Sequence, residues 1–218
     1  MKKDLTELIF ILDRSGSMSG SEGDVIGGFN SLISKQRRER GTALVTTVLF
    51  DDDCIVLHDR MDVREVPPLT ERDYYARGCT ALLDAVGGTI ERTADSRRHT
   101  CSEDLPERTL FVIMTDGMEN ASRHYSWRQV KQMIESRKAE PGWEFLFLGA
   151  NIDAAAAAAE IGIPEDRSAD YLCDGRGISV CYDAIDEAVT SARACEPLGG
   201  IWKEKITADF RRRGKKRR

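Results

Sequence analysis

Residues 8–20 read LIFILDRSGSMSG, and the rest of the chain is read from this stretch. Apolar residues run without a break from Leu8 to Leu12 and stop at Asp13, after which Ser15, Ser17 and Ser19 alternate with Gly16, Met18 and Gly20. An unbroken apolar run of this length suits a strand buried on both faces, as in a parallel sheet covered by helices. An acid at the tip of such a strand, with hydroxyls two and four residues on, directs oxygen-bearing side chains towards one point above the sheet edge. Hard cations take such oxygens: Mg2+ asks for near-octahedral coordination at about 2.0–2.1 Å and keeps several waters.

Outward from this strand the pattern alternates between apolar runs and helical spacing. Residues 24–38 place Val25, Phe29, Leu32 and Ile33 on one helical face, and TALVTTVLFDDD (42–53) reads as the next strand. CIVLHDRMDV (54–63) follows after only Asp51, Asp52 and Asp53. That link is too short for a parallel crossover and predicts an antiparallel hairpin with a solvated acidic turn. TALLDAVGGTIERTA (80–94) predicts a helix beginning near Thr80, RTLFVIMTDG (108–117) a strand, and SWRQVKQMIESRKA (126–139) a helix closed by Pro141 and Gly142. WEFLFLGAN (143–151) is a further strand, IDAAAAAAEIG (152–162) a short helix, SADYLCD (168–174) a weaker strand and SVCYDAIDEAVTSARA (179–194) an amphipathic helix. Strands alternating with helices predict an α/β fold, a Rossmann-like three-layer sandwich with a mostly parallel central sheet, one antiparallel edge strand and helices on both faces. The expected division is one domain over residues 1–197 and a C-terminal extension with a basic tail over 198–218. Polar residues gather at the carboxyl ends of three predicted strands, at 13–17, 116–120 and Asn151, the edge where open parallel sheets bind ligands.

Composition narrows the function classes. The chain has 218 residues, 41% apolar and 32% charged, and no apolar run approaches the roughly 20 residues of a membrane span. Its start, MKKDLTEL, meets acids before any signal-like apolar region, so a cytoplasmic location is expected. The cysteines are Cys54, Cys79, Cys101, Cys173, Cys181 and Cys195, with no CxxC pair among them; reduced thiols, mostly buried as small apolar groups, are expected. Net charge is −5, but the last eight residues, RRRGKKRR, carry seven positive charges, and without them the remainder stands at −12. So acidic a body is a poor match for nucleic acid; only the tail, if it is not simply solvated, could attach to an acidic surface.

Taken singly, Asp13 could cap a helix, Ser15 and Ser17 could be turn residues, Thr80 a helix N-cap and Asp116 with Gly117 a turn. Taken together, FILDRSGSM (10–18), GCTALLDA (78–85) and FVIMTDGMENAS (111–122) resemble the von Willebrand factor A (VWA) domain family, and within it the free-standing bacterial and phage type. The resemblance covers roughly residues 5–195. It implies a metal-ion-dependent adhesion site (MIDAS) in which Asp13, Ser15, Ser17, Thr80 and Asp116 surround one Mg2+ or Mn2+. It also implies that a protein partner's Glu or Asp completes the metal's shell. Secreted adhesive members differ in having a signal peptide and a disulfide joining the ends.

The charge pattern agrees with a binding role. Two aspartates neutralise a divalent ion, while hydroxyls add no charge and leave the ion open to an incoming anion. The expectation is a divalent-metal-dependent protein–protein interaction module without catalytic residues. One alternative is a haloacid-dehalogenase-like phosphatase using Asp13 as nucleophile; it needs a general acid two residues later, where this chain has Ser15. The other is a nucleic-acid-associated protein acting through its tail. Of the three histidines only His124 falls near the site, as a solvated loop residue, while Glu119 and Asn120 are expected at its rim.

Overall fold

In a computed structural model, residues 2–214 are described, and the run that opens the sequence forms strand β1 (Lys2–Asp13), buried from Leu5 to Asp13. It lies at the centre of the sheet because it is apolar on both faces: Leu8, Phe10 and Leu12 enter one core, Ile9 and Ile11 the other. Strand β1 pairs in parallel with β2 (Thr42–Phe50) on one side and with β4 (Pro106–Thr115) on the other. Beyond β2 lies β3 (Cys54–Asp62), antiparallel to it as the short link requires. Beyond β4 come β5 (Trp143–Ala150) and β6 (Ser168–Tyr171), both parallel, giving the order β3-β2-β1-β4-β5-β6.

Helices α1 (Glu22–Gln36), α5 (Gly175–Arg193) and α6 (Glu204–Gly214) contribute Phe29, Ile185 and Ile206 to the first core. Helices α2 (Leu82–Arg98), α3 (Trp127–Lys138) and α4 (Ala154–Glu160) contribute Val86, Ile134 and Ala158 to the second. This is the three-layer α/β architecture the alternation predicts. Contact between α1 and α5 depends on Gly28, where an added Cβ would run into the Tyr182 ring.

Three features depart from the sequence expectations. Only Cys181 is buried; Cys54, Cys79 and Cys101 are exposed, because they sit at the start of an edge strand and in two loops, while Cys173 and Cys195 are intermediate. The basic tail is not detached from the body over 211–214. These residues end α6, and Arg213 donates to Asp209 and to Asp174, the latter at 2.7 and 2.9 Å. Residues 215–218 of the tail lie outside the described residues. The Asp51 turn, expected to be solvated, buries Asp51 against two arginines. No helix of the described residues is long and apolar enough to cross a membrane.

Arg193, at the end of α5, is buried and donates to the Gln36 carbonyl at 2.6 Å and the Arg40 carbonyl at 2.9 Å, with the Gly41 carbonyl at 3.2 Å. It thereby satisfies the Gln36 carbonyl that α1 leaves open at its C-terminus and two carbonyls of the turn that follows. Replacing Arg193 with Ala should lower unfolding free energy by about 3 kcal/mol, since charged hydrogen bonds are lost and their acceptors stay buried. Urea denaturation would read this; a midpoint equal to wild type would remove Arg193 from the account of the α1–β2 turn.

Candidate metal centre

Strand order reverses between β1 and β4, and the carboxyl ends of these neighbours carry Asp13 and the Thr115–Asp116 pair. Chain entry into both loops is therefore fixed by a ladder of parallel hydrogen bonds. Asp13 Oδ1 accepts the Ser15 N–H at 2.7 Å and Oδ2 accepts the Thr115 hydroxyl at 2.6 Å. The Ser15 and Ser17 hydroxyls lie 3.0 Å apart, and the Ser17 hydroxyl donates to Asp116 Oδ1. Gly117 leaves room for this closeness: a Cβ there would stand 3.2 Å from Thr80 Oγ1 and 3.5 Å from Ser17 Oγ. The structure thus brings Asp13, Ser15, Ser17, Thr80 and Asp116 together; all but Ser17 are buried.

Three loops hold these groups in place by bonding to one another. Gly16 N–H donates to the Gly78 carbonyl at 3.0 Å, Arg77 N–H to the Arg14 carbonyl at 2.9 Å, and Ala81 N–H to the Asp51 carbonyl at 2.9 Å. The Tyr74 hydroxyl donates to the Asp13 carbonyl. Arg14 is turned away from the carboxylates: its Nε lies 2.8 Å from Asp51 Oδ2, which Arg77 Nε also reaches at 2.7 Å, and Tyr75 lies under both guanidiniums. Burial alone would raise the Asp51 carboxyl, but the Arg77 hydrogen bond, the Asp53 N–H and the Arg14 charge bring it below its ordinary value.

Thr80 does not cap α2. Ala81 stands at the N-cap without a side-chain bond, and the helix's first amides are served from the other loop: Glu119 Oε2 accepts Leu83 N–H at 2.9 Å and Ser122 Oγ accepts Asp84 N–H at 3.0 Å. Asn120 Oδ1 accepts Thr80 N–H at 2.9 Å. In return Asp84 accepts the N–H groups of Arg123, His124 and Tyr125 at 2.8–2.9 Å. Glu119 and Asn120, expected at the rim, therefore set the position of the Thr80 loop, and His124 is an exposed loop residue.

Sequence reasoning missed Cys173. Its thiol donates to Asp116 Oδ2 at 3.7 Å and lies 3.5 Å from Ser21 Oγ. The available signal was its place just after β6, at the same sheet edge as Asp13 and Asp116. Burial, reinforced by the Asp116 charge, pushes this thiol up to about 11 and keeps it a neutral donor.

Burial raises the carboxyls of both Asp13 and Asp116; hydrogen bonds from Thr115 and Ser15, and from Ser17 and Cys173, oppose it in part, while the charge of Asp116 adds to the rise at Asp13. Among the described residues no cluster of three or more His, Cys, Asp or Glu is arranged for a metal, and an ion held between Asp13 and Asp116 would take further donors from hydroxyls. Two adjacent buried carboxylates, three hydroxyls and a residue without a side chain between them fit a hard divalent cation in donor type and in space.

No protein-family model and no curated protein matches the sequence. Solved structures match its fold. A mussel byssus protein, proximal thread matrix protein 1 with a zinc-occupied MIDAS motif, is 13% identical over 87% of this chain and 47% of its own, with a TM-score of 0.59. Manganese-loaded TRAP protein of Plasmodium vivax is 18% identical over 83% and 73%, with a TM-score of 0.58. A von Willebrand factor type A protein of Catenulispora acidiphila is 13% identical over 88% and 43%, also at 0.58. The chain has the VWA fold, and it spans about half the length of the first structures it matches.

Both carboxyls titrate above their unfolded-state values, so between those values the folded chain holds more protons than the unfolded one. Without metal, stability therefore falls as pH rises through that window. A divalent ion competes with those protons and stabilises the form that binds it. The rise in melting temperature on adding Mn2+ should be small at pH near the ordinary carboxylate range and largest at neutral pH. Calorimetric melting across pH checks this, and a pH-independent rise would contradict it.

Proposed function

We propose that this chain is a divalent-metal-dependent protein-interaction module whose site receives a carboxylate from a protein partner. The observation that carries the reading is the meeting of Asp13 and Asp116 with three neutral hydroxyls and, among the described residues, no cation at the carboxylates. Asp13, Ser15, Ser17, Thr80 and Asp116 would hold the ion, with Mg2+ or Mn2+ as its natural occupant. When bound, the ion supplies a Lewis-acidic position for an oxygen anion. Solved relatives of the fold that carry manganese or zinc support a divalent ion here.

The residues around this donor set orient it. Thr115 and the Ser15 amide fix both oxygens of Asp13, the Cys173 thiol donates to Asp116 Oδ2, and Asn120 sets the backbone from which Thr80 projects. Ser17 alone is exposed, which opens the site towards solvent on its side. The phosphatase alternative gains no support from this arrangement: Ser15, in the place of a general acid, is a buried hydroxyl.

Titration calorimetry with MnCl2 should find one weak site on the wild-type chain and none on Asp13→Ala, with little change in unfolding midpoint between the two without metal. Equal affinity in both would sink the ligand assignment. Metal-dependent hydrolysis of phosphomonoesters, abolished by Asp13→Asn, would instead establish the phosphatase.

A further inference from the structure

Alternation along β1 turns Glu7 to the same face as Ile9 and Ile11, so a carboxylate stands where the second core would take an apolar side chain. Glu7 is 1% exposed; its Oε1 accepts from Arg60, and its Oε2 is buried with no hydrogen-bond partner among the described residues. It lines a cleft of 160 Å³ that β1, β2, β3 and α2 enclose. We propose that this cleft binds a small α-amino acid as its zwitterion, with the ammonium group on Glu7 and the carboxylate on Arg60 and Arg92.

A bulge in the edge strand builds the cleft. Val45 pairs with Met61 and Thr47 with His58, so Asp59 and Arg60 together oppose Thr46. Arg60 takes a left-handed φ of 50°, and its N–H donates to Thr46 Oγ1 at 3.1 Å. From this position its guanidinium reaches Glu7, and Asp59 lines the same cleft. Helix α2 closes the other wall with Arg92, Thr93 and Ser96. Arg92 Nη2 donates to Asp59 Oδ2 at 2.6 Å. The Thr93 hydroxyl donates to the Thr89 carbonyl at 2.8 Å, which leaves its oxygen to accept. Glu7 precedes Asp13 in β1 by a separation of roughly 20 Å along the strand, so this cleft is distinct from the candidate metal centre.

Charge decides the ligand. A cation alone would meet Arg60 and Arg92, with Arg97 near enough to act on Glu7; an anion alone would meet Glu7 and Asp59. A ligand with both charges satisfies both sets. Arg60 and Arg92 each spend one terminal nitrogen on these carboxylates, which leaves N–H groups for an incoming carboxylate. Glu7 Oε2 and the Thr93 oxygen are acceptors for an ammonium group. Burial pushes the Glu7 carboxyl above its ordinary value although Arg60 and Arg97 oppose this, and an ammonium donor at Oε2 would offset that cost. Because Glu7 and Arg60 are in contact, the ligand's charges must also lie close together, as they do across one carbon. The cleft has the volume of roughly five liquid waters, which suits glycine, alanine or serine and excludes a large side chain.

The test is titration calorimetry of the full chain with glycine, L-alanine and L-serine, with acetate, methylammonium and 4-aminobutyrate as controls. Each amino acid should bind at one saturable site, equally with and without EDTA, and the two singly charged controls roughly tenfold or more weakly. Glu7→Gln and Arg92→Met should each weaken L-alanine roughly tenfold or more. Arg92→Met should also melt like wild type, because the pair it breaks with Asp59 is about half exposed, so its loss of binding is read on a folded chain. No saturable heat from any amino acid would leave a cleft filled by water and overturn the inference. So would L-alanine affinity unchanged in both variants, or acetate or methylammonium binding as tightly as L-alanine. Tighter binding of 4-aminobutyrate would overturn the assignment to an α-amino acid.

Discussion

Two carboxylates, Asp13 and Asp116, are buried at the ends of adjacent parallel strands and, among the described residues, no cation offsets them; the surrounding loops are arranged around that constraint. Each charge is served by neutral donors: the Thr115 hydroxyl and the Ser15 amide for one, the Ser17 hydroxyl and the Cys173 thiol for the other. Such donors soften the cost of burial without removing it, which is why both groups stay raised. Gly117 keeps the space beside them free of a side chain, so the pair is left unfinished in a way that a divalent ion would complete.

Several cations elsewhere in the molecule serve structure. Arg14 and Arg77 close on Asp51, Arg193 closes the end of α1, and Arg213 ties α6 to α5. Arg14 makes the point most clearly: it follows Asp13 in sequence, yet its guanidinium is held on the far side by Asp51. The loops are fixed by these pairs and by the reciprocal capping of α2 and the 119–125 loop. These bonds, all made by the protein itself, set the positions of the loops that carry the site's hydroxyls.

Much of this was legible in the sequence because the determinants are local. The five-residue apolar run from Leu8 to Leu12 marks a doubly covered strand, and the three-residue link between Phe50 and Cys54 forces the antiparallel edge. The candidate ligands were legible through spacing within one loop and through the resemblance across three. What escaped depends on pairing between distant segments. Asp51 looks like one more acid in a solvated turn until Arg14 and Arg77 meet it, and Cys173 carries no local pattern. RRRGKKRR reads as a detached tail because the contacts of Arg213 lie four residues back at Asp209 and across the fold at Asp174.

On the proposed reading, Asp13, Asp116 and the three hydroxyls hold one divalent ion that keeps a position open to an outside oxygen. Water-proton relaxation in a Mn2+ titration measures both parts at once, because protein-held Mn2+ enhances relaxation only while some of its positions exchange with solvent. One enhancing site per chain is expected, quenched by a synthetic glutamate-rich peptide and absent in Asp116→Ala. Enhancement of equal size in Asp116→Ala, or none in the wild-type chain, would contradict it.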